Sequence, residues 1–322
     1  MPKIAFLWPE AEFRSLGLPE PNNYDVHFSR AGIRFEVESA CQNADYIISP
    51  SGAGNIDVAL LEMAPQTKLV QLTGAGYDNV DQHECARRGI PIAYMPGLNA
   101  PSVAQTMLQM ALRLRRPLTL LTKGGGEEWM SAREDNINGR ELSGRVGVIG
   151  YGHIGRAVAS LFLSVGLEVV CAKHGDHQTA KVVSLPMREV IATSDILVVA
   201  LPATETTKGL LDASLLRLIK DGSIFLNCGR GGIVEEPVVA KLIETGQLAG
   251  AGFDVFQEEP IPTGHPLMHL VSEYPKRVLL TAHVAGQTMD SKSRNFSIAL
   301  DNVERVAQGN EPLHQLRTPK SE

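Results

Sequence analysis

The chain has 322 residues, 43% of them hydrophobic, and a formal net charge of −6. That is enough chain for two moderate cores, and the acidic balance argues against a phosphate-backbone partner, which needs concentrated Lys and Arg. Four cysteines, Cys41, Cys85, Cys171 and Cys228, lie too far apart in sequence for the close pairs of a zinc site, so no metal is expected and buried thiols are.

The N-terminus "MPKIAFLWPEAEF" has an apolar run too short for a signal peptide or a membrane span, and a cytoplasmic protein is expected. From "KIAFL" through "ADYIISP", "TKLVQLTGAG" and "GIPIAYMPG", short apolar runs end in Gly, Pro or Ser and alternate with helix-like stretches, a first α/β unit. A helix is predicted after "GLNAPS", with Ser102 as its cap and Val103, Met107, Met110, Ala111 and Leu114 on one face. "TKGGGEEWMSAREDNINGRELSG" is polar and glycine-rich without sustained periodicity, and reads as a long surface connection or arm.

From Arg145 the runs "RVGVIG", "LEVVCA", "DILVVAL", "GSIFLN", "GAGFDVF" and "RVLLTA" alternate with helical patterns. Strands apolar on both faces, repeated in this way, predict a doubly wound parallel sheet. A last helix is predicted in "SKSRNFSIALDNVERVAQG".

Within "RVGVIGYGHIGRAVASLF", Gly150, Gly152 and Gly155 have G-x-G-x-x-G spacing between a strand and a helix whose apolar face is Ile154, Ala157, Val158, Leu161 and Phe162. The first glycine allows the tight turn, the second the approach of a pyrophosphate, the third the packing of helix on strand, and the helix N-terminus faces the anion. A dinucleotide cofactor follows. The next strand ends at Lys173 and His174, where NAD-binding chains place an acid on the ribose hydroxyls. An ammonium attracts a 2′-phosphate, so Lys173 favours NADP over NAD, although Asp176 is a candidate to serve the ribose of NAD.

Isolated polar residues close three later runs, "IFLNCGRGGIVEE", "GFDVFQEEP" and "VLLTAHVAGQT". Chemistry in an open α/β sheet gathers outside the carboxyl ends of its strands, which nominates Arg230, Glu259 and His283 for one site.

Through these motifs, with "QLTGAGYDNVD", "NAPSVAQ" and "LPATETTKGLL", the chain resembles the D-2-hydroxyacid dehydrogenase family over nearly its whole length, glyoxylate/hydroxypyruvate reductases included. The resemblance implies catalytic roles for Arg230, Glu259 and His283. It implies cofactor contacts at Gly150, Gly152, His153, Ile154, Gly155, Leu201, Pro202, Cys228, Asp254, His283 and Gly286, and substrate contacts at Ala75, Gly76, Arg230 and His283. It also implies a Rossmann-like domain, residues 101–286, inserted in a flavodoxin-like substrate domain, residues 1–100 and 287–322, and a homodimer. Reduction of a small 2-keto acid would use His283 as proton donor, since an imidazole ordinarily titrates near ~6.5 and a carboxylate at Glu259 raises that value. The Arg230 fork would orient the substrate.

Departures from the family pattern are Ala282 for the proline before the histidine, expected to loosen that loop, Ala200 in "ALP", and the glycine-rich "IISPSGAGNID", which suggests a roomy pocket. Two other classes share these motifs: a dinucleotide-sensing corepressor-like binding protein, disfavoured by the lack of a basic patch, and phosphite or formate dehydrogenases on the same scaffold. Formate enzymes carry an amide where this chain has Glu259.

Overall fold

The structure is a computed structural model and describes residues 1–51, 54–137, 139–172 and 181–317. Its chain divides into two compact units, one of Met1–Asn99 and Gln287–Glu322, the other of Ala100–Gly286.

The first unit carries five parallel strands, β1 (Lys3–Phe6), β2 (Asp25–Phe28), β3 (Tyr46–Ser49), β4 (Leu69–Leu72) and β5 (Ile92–Ala93), in the order β2-β1-β3-β4-β5. This is the flavodoxin-like order. β3 and β4 are buried along their full length because helices cover both faces, and so they are written almost wholly in apolar residues. One face packs Ile47, Val70, Leu60 and Leu61 together; the other packs Phe6, Phe13 and Phe296 in edge and stacked contacts. Asp57 and Asp81 cap the helices Val58–Met63 and Gln82–Arg88 by accepting from the amides of Leu60 and Glu84. Helix Met289–Ala307, capped by Thr288, closes the unit.

The second unit has seven parallel strands: β6 (Arg145–Ile149), β7 (Glu168–Ala172), β8 (Val183–Ser184), β9 (Ile196–Val199), β10 (Ser223–Asn227), β11 (Leu248–Phe253) and β12 (Val278–Leu280). Their order, β12-β11-β10-β9-β6-β7-β8, reverses direction between β6 and β9. That is the Rossmann order with one added strand, and the reversal opens a crevice at the carboxyl ends of β6 and β9. One core cluster, around Phe225, Phe253 and Ile243, lies on one face of the sheet; another, around Phe162, Val148 and Met107, lies on the other. No helix among the described residues is long and apolar enough to cross a membrane.

Two sequence expectations need correction. The helix after "GLNAPS" runs Ala100–Arg115, so Ser102 is a buried residue of its first turn and not its cap. The expected apolar face is buried. The polar connection contains a helix, Gly126–Ile137, of which only Ala132 is buried. It lacks an apolar stripe, and its start is fixed instead by the Glu128 carboxylate, which accepts from the Thr122 hydroxyl and the amides of Thr122, Lys123 and Gly124. Those donors hold the Glu128 carboxyl down to about 2.

Fully buried Asn302 ties the tail of the first unit to its sheet. Its Nδ2 donates to Gln71 Oε1 (2.7 Å) and to the Leu313 carbonyl (3.0 Å), and its Oδ1 accepts from the Leu313 amide (2.6 Å). Asn302→Ala strands buried polar groups at each end, and should destabilise the protein by about 2–3 kcal/mol, measured as a lower urea midpoint in circular dichroism.

Candidate active site

At the carboxyl edge of the seven-stranded sheet the hydrogen-bond ladder continues one step beyond the strands. The amide of Ala200 donates to the Ile149 carbonyl (2.8 Å), Cys228 to Val199 (3.0 Å), Asp254 to Asn227 (3.0 Å) and His283 to Asp254 (2.8 Å). This row fixes where each strand hands over to its loop, and most of the predicted polar residues sit on those loops.

The glycine turn leaves β6. Gly150 has φ +97°, a left-handed conformation that only glycine adopts without strain. Gly152 precedes helix His153–Ser164, whose first amides have no partner within the helix. A methyl group at Gly155 would lie 2.0 Å from the Gly150 carbonyl oxygen, so this glycine lets the helix press on the turn. A methyl at Gly152 would meet nothing within 4 Å; the space beside it is open, as the approach of a pyrophosphate requires. His153 is exposed, Ile154 half-buried, and Leu201 and Pro202 follow β9 across the crevice. The Cys228 thiol is buried against the Val199 carbonyl, and burial pushes it up to about 12; any cofactor contact there would come from its backbone. All four cysteines are buried free thiols. Lys173, His174 and Asp176 lie outside the described residues, as does part of "IISPSGAGNID".

Asp254 directly follows β11 and is 3% exposed. Its Oδ1 accepts from the Thr281 hydroxyl (2.6 Å) and the Val284 amide (2.9 Å), and its Oδ2 accepts from the Ala285 amide (3.0 Å). The loop after β12 is therefore wrapped around one carboxylate. The wrapping holds His283 at φ +54°, a conformation that costs a non-glycine residue about 1–3 kcal/mol. Ala282 stands just before His283, in a loop held by these bonds to Asp254. Gly286 ends the same loop and is half-buried.

Glu259 and His283 meet. The Nδ1 of His283 lies 2.7 Å from Glu259 Oε2, and Glu259 Oε1 accepts from the Phe256 amide (2.9 Å). An ionised carboxylate only accepts, so Nδ1 carries the proton of this pair. A cavity of about 580 Å³ opens beside the pair, walled by Phe256, Pro260, Ile261, Met268, Val271 and Leu280. Arg230 stands at the end of β10, half-buried, its Nη1 donating to the Gly229 carbonyl (2.9 Å).

Ala75 and Gly76 belong to the first unit, on the turn after β4. Ser51 Oγ donates to the Gly76 carbonyl (2.6 Å), and Asn295 Nδ2 donates to the Thr73 carbonyl (2.8 Å). Sequence reasoning passed over Asn227, fully buried, whose Oδ1 accepts from the Gly229 amide (3.1 Å) and sets the turn into Arg230. An asparagine at the last position of an apolar strand, just before Cys-Gly, was the available signal.

Residues 105–285 match the family described as "D-isomer specific 2-hydroxyacid dehydrogenase, NAD binding domain". The chain is 29% identical over 275 residues to glyoxylate/hydroxypyruvate reductase B of Yersinia enterocolitica and 28% identical to that of Yersinia pseudotuberculosis, covering 83% of this chain and 82% of each relative. Among solved structures, a protein from Thermus thermophilus superposes with a TM-score of 0.82 at 25% identity, covering 98% of this chain and all of that one. An NADPH-dependent glyoxylate/hydroxypyruvate reductase from Sinorhizobium meliloti, in complex with citrate, superposes with a TM-score of 0.80 over the whole of both chains; at 24% identity that likeness bears on the fold. With more than half its length matching the family's NAD-binding domain, and with the two parallel sheets its fold requires, the chain belongs to the D-isomer-specific 2-hydroxyacid dehydrogenases.

Proposed function

We propose that the protein is an NADPH-preferring reductase of small 2-keto acids such as glyoxylate and hydroxypyruvate, running reversibly as a D-2-hydroxyacid dehydrogenase. The observation that carries this reading is the 2.7 Å contact between His283 Nδ1 and Glu259 Oε2 at the carboxyl edge of a dinucleotide-binding sheet. The glycine turn and the first amides of helix His153–Ser164 would hold the cofactor pyrophosphate, with Leu201, Pro202, Asp254 and the backbones of Cys228 and Gly286 further along its path.

A nicotinamide cofactor held there would supply the hydride that reduces the substrate's C2. Negative charge then builds on the carbonyl oxygen, and His283 delivers a proton to it from Nε2. Glu259 stabilises the imidazolium before that transfer and keeps Nδ1 protonated throughout. Arg230 offers a planar fork of donors, which can hold the substrate carboxylate and polarise the carbonyl together. In the reverse direction the imidazole accepts the hydroxyl proton. One reduction consumes one hydride and one proton and yields the D-hydroxy acid.

Preference for NADPH rests on Lys173, whose charge suits a 2′-phosphate. A homodimer is the proposed assembly. Large apolar side chains are exposed on and before helix Gly126–Ile137, with Leu120 72% and Trp129 58% exposed, and Met130 and Ile137 exposed beside them. A second copy of the chain is the partner that would bury them.

His283→Ala should retain NADPH affinity within about twofold, by fluorescence titration, while turnover with glyoxylate or hydroxypyruvate falls by about 10²–10⁴. Lys173→Glu should reverse the cofactor preference, read as the ratio of kcat/KM for NADPH and NADH. Trp129→Glu with Leu120→Glu should convert a dimer to a monomer in light scattering; a wild-type monomer would contradict the assembly.

A further inference from the structure

We propose that Glu236 is a positioning residue for the reaction, a clamp that holds the loop carrying Glu259 in register with His283. This inference rests on the catalytic reading of Glu259 and His283 given above. Glu236 opens helix Glu236–Glu244 and is 2% exposed. Its two oxygens reach both ends of one loop. Oε1 accepts from the Gln257 amide (2.8 Å), and Oε2 lies 2.8 Å from His265 Nε2.

The His265 ring fixes the proton. Its Nδ1 accepts from the Leu267 amide (3.3 Å), capping helix Pro266–Glu273, so its one hydrogen sits on Nε2 and is donated to Glu236. Burial raises the Glu236 carboxyl, and the Gln257 amide and His265 oppose that; the nearby Glu259 charge raises it again. Because both oxygens face donors, the carboxylate is the form this geometry accommodates. His265 and Glu259 are the titratable groups that face it.

Residues Gln257, Glu258, Glu259 and Pro260 are exposed, so packing alone does little to fix them. The chain of contacts is short: Glu236 fixes the Gln257 amide, the preceding Phe256 amide fixes Glu259 Oε1, and Glu259 Oε2 accepts the hydrogen bond from His283 Nδ1. The turn after Arg230 presses on the same point, since a methyl at Gly231 would lie 1.7 Å from the Phe256 carbonyl oxygen. Arg230 and Glu259 are thereby referred to one backbone segment.

Glu236→Gln keeps an acceptor for Gln257 but turns an NH₂ toward the His265 N–H. The expected result is a kcat reduced about tenfold with the KM for NADPH changed less than about twofold, and less than a further twofold loss when Glu236→Gln is added to Glu259→Gln. The downfield His283 Nδ1–H proton resonance of the labelled protein should disappear. His265→Asn, which keeps the cap on Leu267 but is too short to reach Glu236, should reproduce these effects and serves if Glu236→Gln does not fold. Wild-type kcat and an intact resonance in both variants would overturn the clamp, as would losses that multiply in the Glu259→Gln background. Wild-type turnover in Glu259→Gln and His283→Ala would instead overturn the catalytic reading, and the resonance would still report on the clamp.

Discussion

The active-site side of this protein depends on one buried carboxylate. Asp254, directly after β11, is shielded from solvent, so its charge must be met by protein donors, and the donors come from the loop after β12: the Thr281 hydroxyl and the amides of Val284 and Ala285. Satisfying that charge bends the loop tightly enough to put His283 in a left-handed conformation, which a free chain would leave. The imidazole is therefore aimed by electrostatics acting on the backbone around it. The residue before His283 is Ala282.

The sheet supplies the second constraint. Because all seven strands are parallel, their carboxyl ends lie along one edge, and the ladder extends one bond further at Ala200, Cys228, Asp254 and His283. Residues from a long span of sequence are thus brought into line without contacts between their side chains. The glycine turn belongs to the same edge at the point where strand order reverses, so a dinucleotide and the proposed proton donor share a side of the sheet. What Glu259 adds is local: an exposed loop residue whose two oxygens are both engaged, one by backbone and one by His283.

Much of this was legible in the residues. The second parallel sheet follows from its apolar runs, the first α/β unit from runs punctuated by Gly and Pro, and the glycine turn from its spacing between strand and helix. Helix Gly126–Ile137 was not legible, because it is polar on nearly every face and is anchored through Glu128, a contact with no periodic signature. Glu236 and His265 were also invisible: a charged residue beside a proline reads as solvated surface, and their pairing at 2.8 Å joins positions 29 apart in sequence. The bonds from Asp254 to the His283 loop were hidden for a related reason, since they reach residues about thirty positions away.

The most direct test of the proposed chemistry follows the hydride itself. Hydroxypyruvate is incubated with the protein and NADPH deuterated at the transferable C4 position, and the product is analysed by NMR and chiral chromatography. The account predicts one deuterium at C2 of D-glycerate, formed in step with NADPH oxidation. An L-configured product, or no transfer of label to C2, would contradict it.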